Sequence, residues 1–260
     1  MSAVRLDRNG SVVTLTIDRP QTRNALDREA QAAIPSLLRS FALDGTRAVV
    51  LTGAGDVFCS GADLGWMRHG GGLDEQENLI DAAATAAMME AVDCCPLPVI
   101  ARVNGHALGG GAGLVACCDI AIAAEGARFG FTETRLGLIP AIVSPYVLRA
   151  IGPGHARSLF VAGERFPAGR ALEIGLVHRV VAADRLDQAV ADTVLGVLEG
   201  GPAAIAEAKR LVRDATAGLA LGDRAQRLAE VRAGAEAQEG MAAFLERRKP
   251  QWAPRSPESS

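Results

Sequence analysis

Three short segments of the chain carry residue types suited to chemistry. In Phe129-Gly130-Phe131-Thr132-Glu133-Thr134-Arg135-Leu136-Gly137 one carboxyl group, that of Glu133, stands in a largely apolar stretch. A carboxyl withdrawn from water titrates above its usual range and can give or take a proton near neutrality. A Glu133 that is solvated, or paired with Arg135, would do neither. Asn104–Gly113 holds Gly105, Gly109, Gly110, Gly111 and Gly113 between one apolar run and the next, Leu114–Cys118. Glycines opening a helix leave N–H groups unpartnered and uncovered, and the helix dipole there favours negative charge, as a developing oxyanion requires. The same glycines would also serve as a tight packing turn. Their spacing is not G-x-G-x-x-G, so they are no dinucleotide fingerprint. Phe58-Cys59-Ser60-Gly61-Ala62-Asp63-Leu64 follows the apolar run Ala48–Thr52, and its small residues would let a ligand reach the main chain. On its own it reads equally as a plain strand-to-helix loop.

Other chemistries find no support. His69, His106, His155 and His178 lack metal-ligand spacing, and H-E-x-x-H is absent. No G-x-S-x-G supplies a nucleophile elbow. Cys59, Cys94, Cys95, Cys117 and Cys118 are odd in number and include two adjacent pairs, a poor disulfide framework. They read as buried reduced thiols, which suits a cytoplasmic location. His106 reads as a residue that caps or packs a turn, and Asp119 as a structural hydrogen-bonding group.

The elements that must position these segments alternate. Val4–Leu6 and Val12–Ile17 read as strands about an Asn9-Gly10 turn. A helical pattern begins at Asp27 and contains Pro35, expected to kink or divide it. Ala48–Thr52 is a short continuous apolar run, as in a strand buried on both faces, Val99–Val103 reads as a second buried strand and Asp119–Ala123 as a third strand. Glu75–Val92 reads as a helix between the first two. Strands alternating with helices predict an α/β fold with parallel pairing, whose ligand lies at the carboxyl ends of the strands. Beyond about residue 184 the pattern is helical, over 185–198, 202–217 and 223–248. The tail after Pro250 is rich in Pro and Ser and reads as disordered.

The chain has 260 residues, long enough for one sizeable domain, and 49% of them are hydrophobic. Aromatics make up 4% and the formal net charge is −3, which argues against a nucleic-acid partner. The apolar stretch 99–124 is too interrupted by polar residues to span a membrane, and the N-terminus has no apolar signal core.

Taken together, the segments resemble the enoyl-CoA hydratase/isomerase (crotonase) family over nearly the whole chain. Arg23-Asn24-Ala25-Leu26 is similar to the family's N-A-L segment, Phe58–Leu64 to its F-x-x-G-A-D-L loop, and Gly109–Gly113 to its glycine cluster. Glu133 falls where the family carries a catalytic glutamate. Gly163–Phe166, Ala171–Val181 and Glu239–Phe244 match in order and spacing.

The resemblance implies a crotonase-like spiral of strand-strand-helix turns with a C-terminal helical region. The core domain would span 1–195, and the helical oligomerisation region 196–260. It implies a homotrimer or homohexamer and an acyl-CoA thioester substrate. No metal and no redox cofactor is implied, since coenzyme A arrives as part of the substrate. The main-chain N–H groups that hold the thioester oxygen map onto Ala62 and Gly110. Coenzyme contacts map onto Arg23, Ala25, Ala62, Asp63 and Leu64, with Phe244 and Arg247 near the C-terminus. Trp66, Met67 and His69 would line the acyl pocket, and the loop Met67–Leu73 would admit substrate.

Two departures matter. Hydratases of the family usually carry two glutamates about a water, and the first falls here at Gly113. The segment Ile139–Val147 also lacks the Gly-rich stretch ending in Thr-Gln-Arg, and is more similar to the single-glutamate, methylglutaconyl-CoA-hydratase-like branch. The resulting expectation is hydration of an enoyl-CoA with a branched or carboxylated acyl chain. The alternatives are a 3-enoyl to 2-enoyl isomerase using Glu133 as proton carrier, and a non-catalytic acyl-CoA binder.

Overall fold

The computed structural model describes residues 2–41, 43–63, 65, 74–216, 218 and 220–254. Strands β1 (Val4–Asn9) and β2 (Val12–Ile17) pair antiparallel, with Asn9 opposite Val12. Gly10 and Ser11 therefore form the two-residue turn, one position later than Asn9-Gly10, and Gly10 takes the positive φ of 58° that hairpin turns demand. β2 then pairs parallel with β3 (Ala48–Gly53), β3 with β5 (Val99–Val103), β5 with β7 (Ile120–Ala124) and β7 with β10 (Arg179–Val181). A smaller sheet runs in the order β4 (Val57–Cys59), β6 (His106–Leu108), β8 (Arg128–Gly130), β9 (Arg165–Pro167).

Three successive turns of the chain thus lay one strand in the large sheet, one in the small sheet, then a helix. β3 and β4 precede α2 (Glu75–Asp93), β5 and β6 precede α3 (Gly110–Cys117), and β7 and β8 precede α4 (Ser144–Ala162). This is the strand-strand-helix spiral, and its regularity follows from burial. Val49, Leu51, Val99, Ala101, Val103, Ala121 and Ala123 face the main core, shared with α1 (Arg28–Phe41), α2, α3 and α4. The alternating residues Ala48, Val50, Ile100, Ile122 and Ala124 face α6 (Leu186–Leu198) through Leu186, Ala189, Val190, Val194 and Leu198. Both faces are covered, hence the continuous apolar runs. Fully burying one such side chain is worth about 1.5–3 kcal/mol.

Pro35 neither divides α1 nor ends it: one helix runs from Arg28 to Phe41. The ring is buried with Ile34 and Leu38 on the core face, where packing offsets the hydrogen bond it cannot donate. The glycine cluster also differs from expectation. The glycines open a helix, as one of the two readings has it, but that helix starts at Gly110, within the cluster and not at the apolar run from Leu114, and is capped by Gly109. Asp74 opens α2 with a reciprocal capping box to Glu77.

After the short α5 (Ala168–Glu173) and β10, the chain is helical: α6, α7 (Pro202–Thr216), α8 (Leu221–Ala233) and α9 (Ala235–Leu245). These last helices meet the amino ends of the parallel strands. Lys209 on α7 donates to Leu97 O and pairs with Asp119 at 2.7 Å, and Asp119 accepts from Val99 N. Arg47, just before β3, donates to the carbonyls of Leu198, Gly200 and Trp252. The Trp252 indole donates to Glu199 O. The segment 251–254, expected to be disordered, is therefore held against the fold through Trp252; residues 255–260 lie outside the described ones. Among the described residues, no single helix is long and apolar enough to cross a membrane.

Candidate active site

The loop after β4 is bracketed by residues from the N-terminal segment. Asn24 is fully buried with φ at 55°, a left-handed conformation that Asn tolerates. Its side chain accepts from Arg19 N and donates to Ala54 O and Val57 O. The Arg19 guanidinium donates to Ala25 O and forms ion pairs with Asp27 at 3.1 Å and Asp63 at 2.9 Å. Leu26 and Ala62 form a parallel bridge, in which Leu26 N donates to Gly61 O and Asp63 N donates to Leu26 O. That pattern uses the groups on either side of Ala62 and leaves its own N–H directed away from Leu26.

The glycine cluster meets this loop main chain against main chain. Gly109 caps α3 at φ 50°, ψ −121°, and its N–H donates to Gly130 O at the end of β8. A Cβ on Gly111 would fall 2.2 Å from Cys59 O, so only glycine fits there. Gly61, at φ 92°, approaches so closely that a Cβ on it would lie 3.4 Å from Gly110 N. Among the described residues, neither Ala62 N–H nor Gly110 N–H meets an acceptor.

Glu133 begins a single helical turn, Glu133–Leu136, closed by Gly137 at φ 74°. Its carboxyl turns toward the glycine cluster: Oε1 lies 3.4 Å from where a Cβ on Gly109 would stand. Oε2 is buried without a hydrogen-bond partner. Burial raises the Glu133 pKa, opposed only in part by its own main-chain N–H. Arg135 does not pair with it, since its side chain lies along Gly163 instead. The site thus brings two unpartnered donors and one desolvated acid to the carboxyl ends of β4, β6 and β8.

Of the remaining residues singled out, Ala25 is buried behind the loop, and Arg23 is exposed at φ 55°, its carbonyl accepting from Ser60 N. With Asp63 they sit beside Ala62. Leu64, Trp66, Met67 and His69 and the loop 67–73 lie outside the described residues. Phe244 is 83% exposed on α9, and Arg247 follows it. α9 packs on α7 and α8, the group at the amino end of the large sheet, so one chain does not bring Phe244 and Arg247 to Glu133. Asp119 is a structural residue, as expected. Cys94 is exposed, unlike the other four thiols. The sequence assigns no role to Arg19, Asn24, Met89 or Val143. Only Asn24 offered a signal, as the polar residue of the N-A-L segment.

Among the described residues no cluster of three or more His, Cys, Asp or Glu could hold a metal ion. A cleft of about 520 Å³, lined by Tyr146, Arg149, His178 and Lys209 among others, opens at the far end of α3, away from Glu133.

Comparison with known proteins agrees with this architecture. The family model for enoyl-CoA hydratase/isomerase matches residues 7–255. The chain is 32% identical over 250 residues to a crotonyl-CoA hydratase of Syntrophomonas wolfei subsp. wolfei, covering 94% of this chain and 95% of that one. Among solved structures it is similar to an enoyl-CoA hydratase of Shewanella pealeana, with TM-score 0.92, 38% identity and 96% of each chain covered. It is likewise similar to Pseudomonas aeruginosa AtuE, with TM-score 0.93, 36% identity, and 97% of this chain and all of that one covered. The chain belongs to the enoyl-CoA hydratase/isomerase family and is an enzyme of the crotonase fold.

Proposed function

We propose that the enzyme adds water across the double bond of a 2-enoyl-CoA, with the N–H groups of Ala62 and Gly110 holding the thioester oxygen and Glu133 moving the proton. One observation carries the reading: two unpartnered main-chain donors from touching loops stand beside a half-buried carboxyl whose Oε2 is enclosed without a partner. Ionised Glu133 takes a proton from water as the water oxygen attacks the β-carbon. The π electrons move onto the thioester oxygen, where fixed donors stabilise the charge more in the transition state than in the substrate. The enolate then collapses and its α-carbon takes the proton back from Glu133. Losing one such donor typically costs about 3–4 kcal/mol, or roughly 100- to 1000-fold in rate.

Arg23, Ala25, Asp63 and Leu64 would approach the coenzyme along the rim of the Ala62 loop. Phe244 and Arg247, remote from that rim within one chain, would meet the coenzyme from a neighbouring copy in a homotrimer or homohexamer. The acyl chain is proposed to be branched or carboxylated. Leu26 and Met89, which back Gly110, are apolar, which suits a branch.

The isomerase reading draws on Gly113, because shifting a double bond needs a single proton carrier. A turnover screen over linear, branched and 3-methylglutaconyl 2-enoyl thioesters and over 3-enoyl thioesters, with product identification, separates the two. Hydration of at least one 2-enoyl substrate is expected. Isomerisation of 3-enoyl-CoA with no hydration of any 2-enoyl thioester would replace the proposal. Inertness over the whole panel would favour a binder.

A further inference from the structure

Gly113 occupies the third position after Gly110 on α3, and a Cβ built on it would lie 2.2 Å from Val143 Cγ1 and 2.8 Å from Val143 Cβ. Real Cβ atoms do not approach so closely. Val143 is 4% exposed and caps the amino end of α4, its carbonyl accepting from Val147 N. Being β-branched, it has few rotamers to retreat into, and the contact with its own Cβ would persist in all of them. Met89 closes the same space, with Cε 3.6 Å from the Gly113 position. The direction in which a side chain at 113 must leave the helix is therefore filled with packed hydrocarbon.

We infer that Val143 is a specificity-determining residue: it fills the place of a second acid at 113, and together Gly113 and Val143 commit the enzyme to one proton carrier. The inference deepens the reading of Glu133 as that carrier and rests on it. The missing glutamate is then not a lone substitution. Gly113→Glu alone has nowhere to put its side chain. Val143→Ala relieves only the 2.2 Å contact, because the Cβ contact at 2.8 Å remains. Val143→Gly relieves both; glycine suits the capping position, while the loss of a buried valine side chain carries a stability cost of its own.

The test is a set of variants on the full-length enzyme: Gly113→Ala, Gly113→Glu, Val143→Gly, and each Gly113 variant combined with Val143→Gly. Thermal melting and the pH profile of kcat/KM for 2-enoyl-CoA hydration are read for all of them. Gly113→Ala and Gly113→Glu are expected to lower Tm by about 3–10 °C, as overpacking does in a chain of this size. In the Val143→Gly background the same Gly113 substitutions should recover most of that loss, each double variant being compared with Val143→Gly alone. Gly113→Glu/Val143→Gly is further expected to show a second titrating limb in its pH profile and at least tenfold faster hydration than Gly113→Glu alone. If Gly113→Ala melts with the wild type, Val143 does not fill the space and the inference fails. If the double variant recovers its Tm but keeps a single limb, Val143 packs there without setting the chemistry, and the inference fails in that part. If the melting pattern holds while wild type and double variant alike hydrate nothing, the packing claim stands and the proposed hydratase reading fails.

Discussion

Glu133→Gln tests the site most directly. The substitution keeps the shape of a side chain whose Oε1 faces Gly109 and whose Oε2 is buried without a partner, and it removes only the capacity to carry a proton. A positioned acid–base group contributes about 100- to 10,000-fold, so kcat/KM should fall by that factor, about 3–5 kcal/mol of transition-state stabilisation. Coenzyme binding, through groups elsewhere, should change little. Stability gives an independent check with a definite sign. Burial raises the folded-state pKa of Glu133 above its ordinary value of 4.5. Below that ordinary value the group is protonated in both folded and unfolded chains and contributes no difference. As pH climbs from there to the raised value, the unfolded chain loses the proton first, so native stability declines, and above the raised value the loss is complete. Glutamine has no charge to bury. The variant should therefore melt with the wild type near pH 4 and above it at pH 8. The wild-type pH–rate profile for hydration should rise through a midpoint above 4.5. The assays are stopped-time hydration with product identification, and melting curves at pH 4 and pH 8. A variant retaining more than a tenth of wild-type turnover, or melting below the wild type at pH 8, would refute the assignment.

Two further perturbations probe the framework. Asn24→Ala removes three hydrogen bonds made by a fully buried side chain and puts alanine at φ 55°, so a loss of about 3–4 kcal/mol is expected in denaturant titration, with kcat/KM falling alongside as the Ala62 loop loosens. Gly111→Ala drives a Cβ to 2.2 Å from Cys59 O and should cost about 3 kcal/mol or more, with kcat reduced, whereas Gly126→Ala, with nothing within 4 Å, should stay within about 0.5 kcal/mol of wild type; equal melting temperatures for the two would discredit the tight apposition of the loops.

Much of this was readable from the chain alone, for physical reasons. Ala48–Thr52 announces itself because both of its faces are buried, so no charged residue interrupts it, and Val99–Val103 does so despite Arg102, which is half-buried and pairs with Asp187. Glu133 and the glycine cluster stand out because unpaired acids and runs of glycine are costly unless used. What could not be read depends on distant partners. Pro35 breaks a helix in isolation, and only its place among Ile34, Leu38 and the core lets α1 continue. Strands β8 and β9 are three residues each, too short for a periodic signal, and exist because Phe129 and Phe166 pair across them. Arg19 looks like any surface cation until Asp27 and Asp63 are folded around it. Val143 sits 30 positions from the glycine it obstructs.

The parallel pairing of β4 with β6 carries a last consequence. Ala62 comes three residues after the end of β4, and Gly110 two after the end of β6. Neighbouring strands are held about 4.8 Å apart by their ladder of main-chain hydrogen bonds, a gauge that side-chain chemistry barely alters. The span between the two N–H groups is thus tied to that pairing, whose register shifts once, between Val57 and Cys59. Glu133 follows β8, which ladders with β6, but its carboxyl acts from the end of a side chain on one short turn, a step further from that ruler than a main-chain N–H. Drift in the hydrocarbon interior would tilt the acid before it altered the grip on the carbonyl, so warming or remote substitution should erode proton transfer ahead of thioester binding.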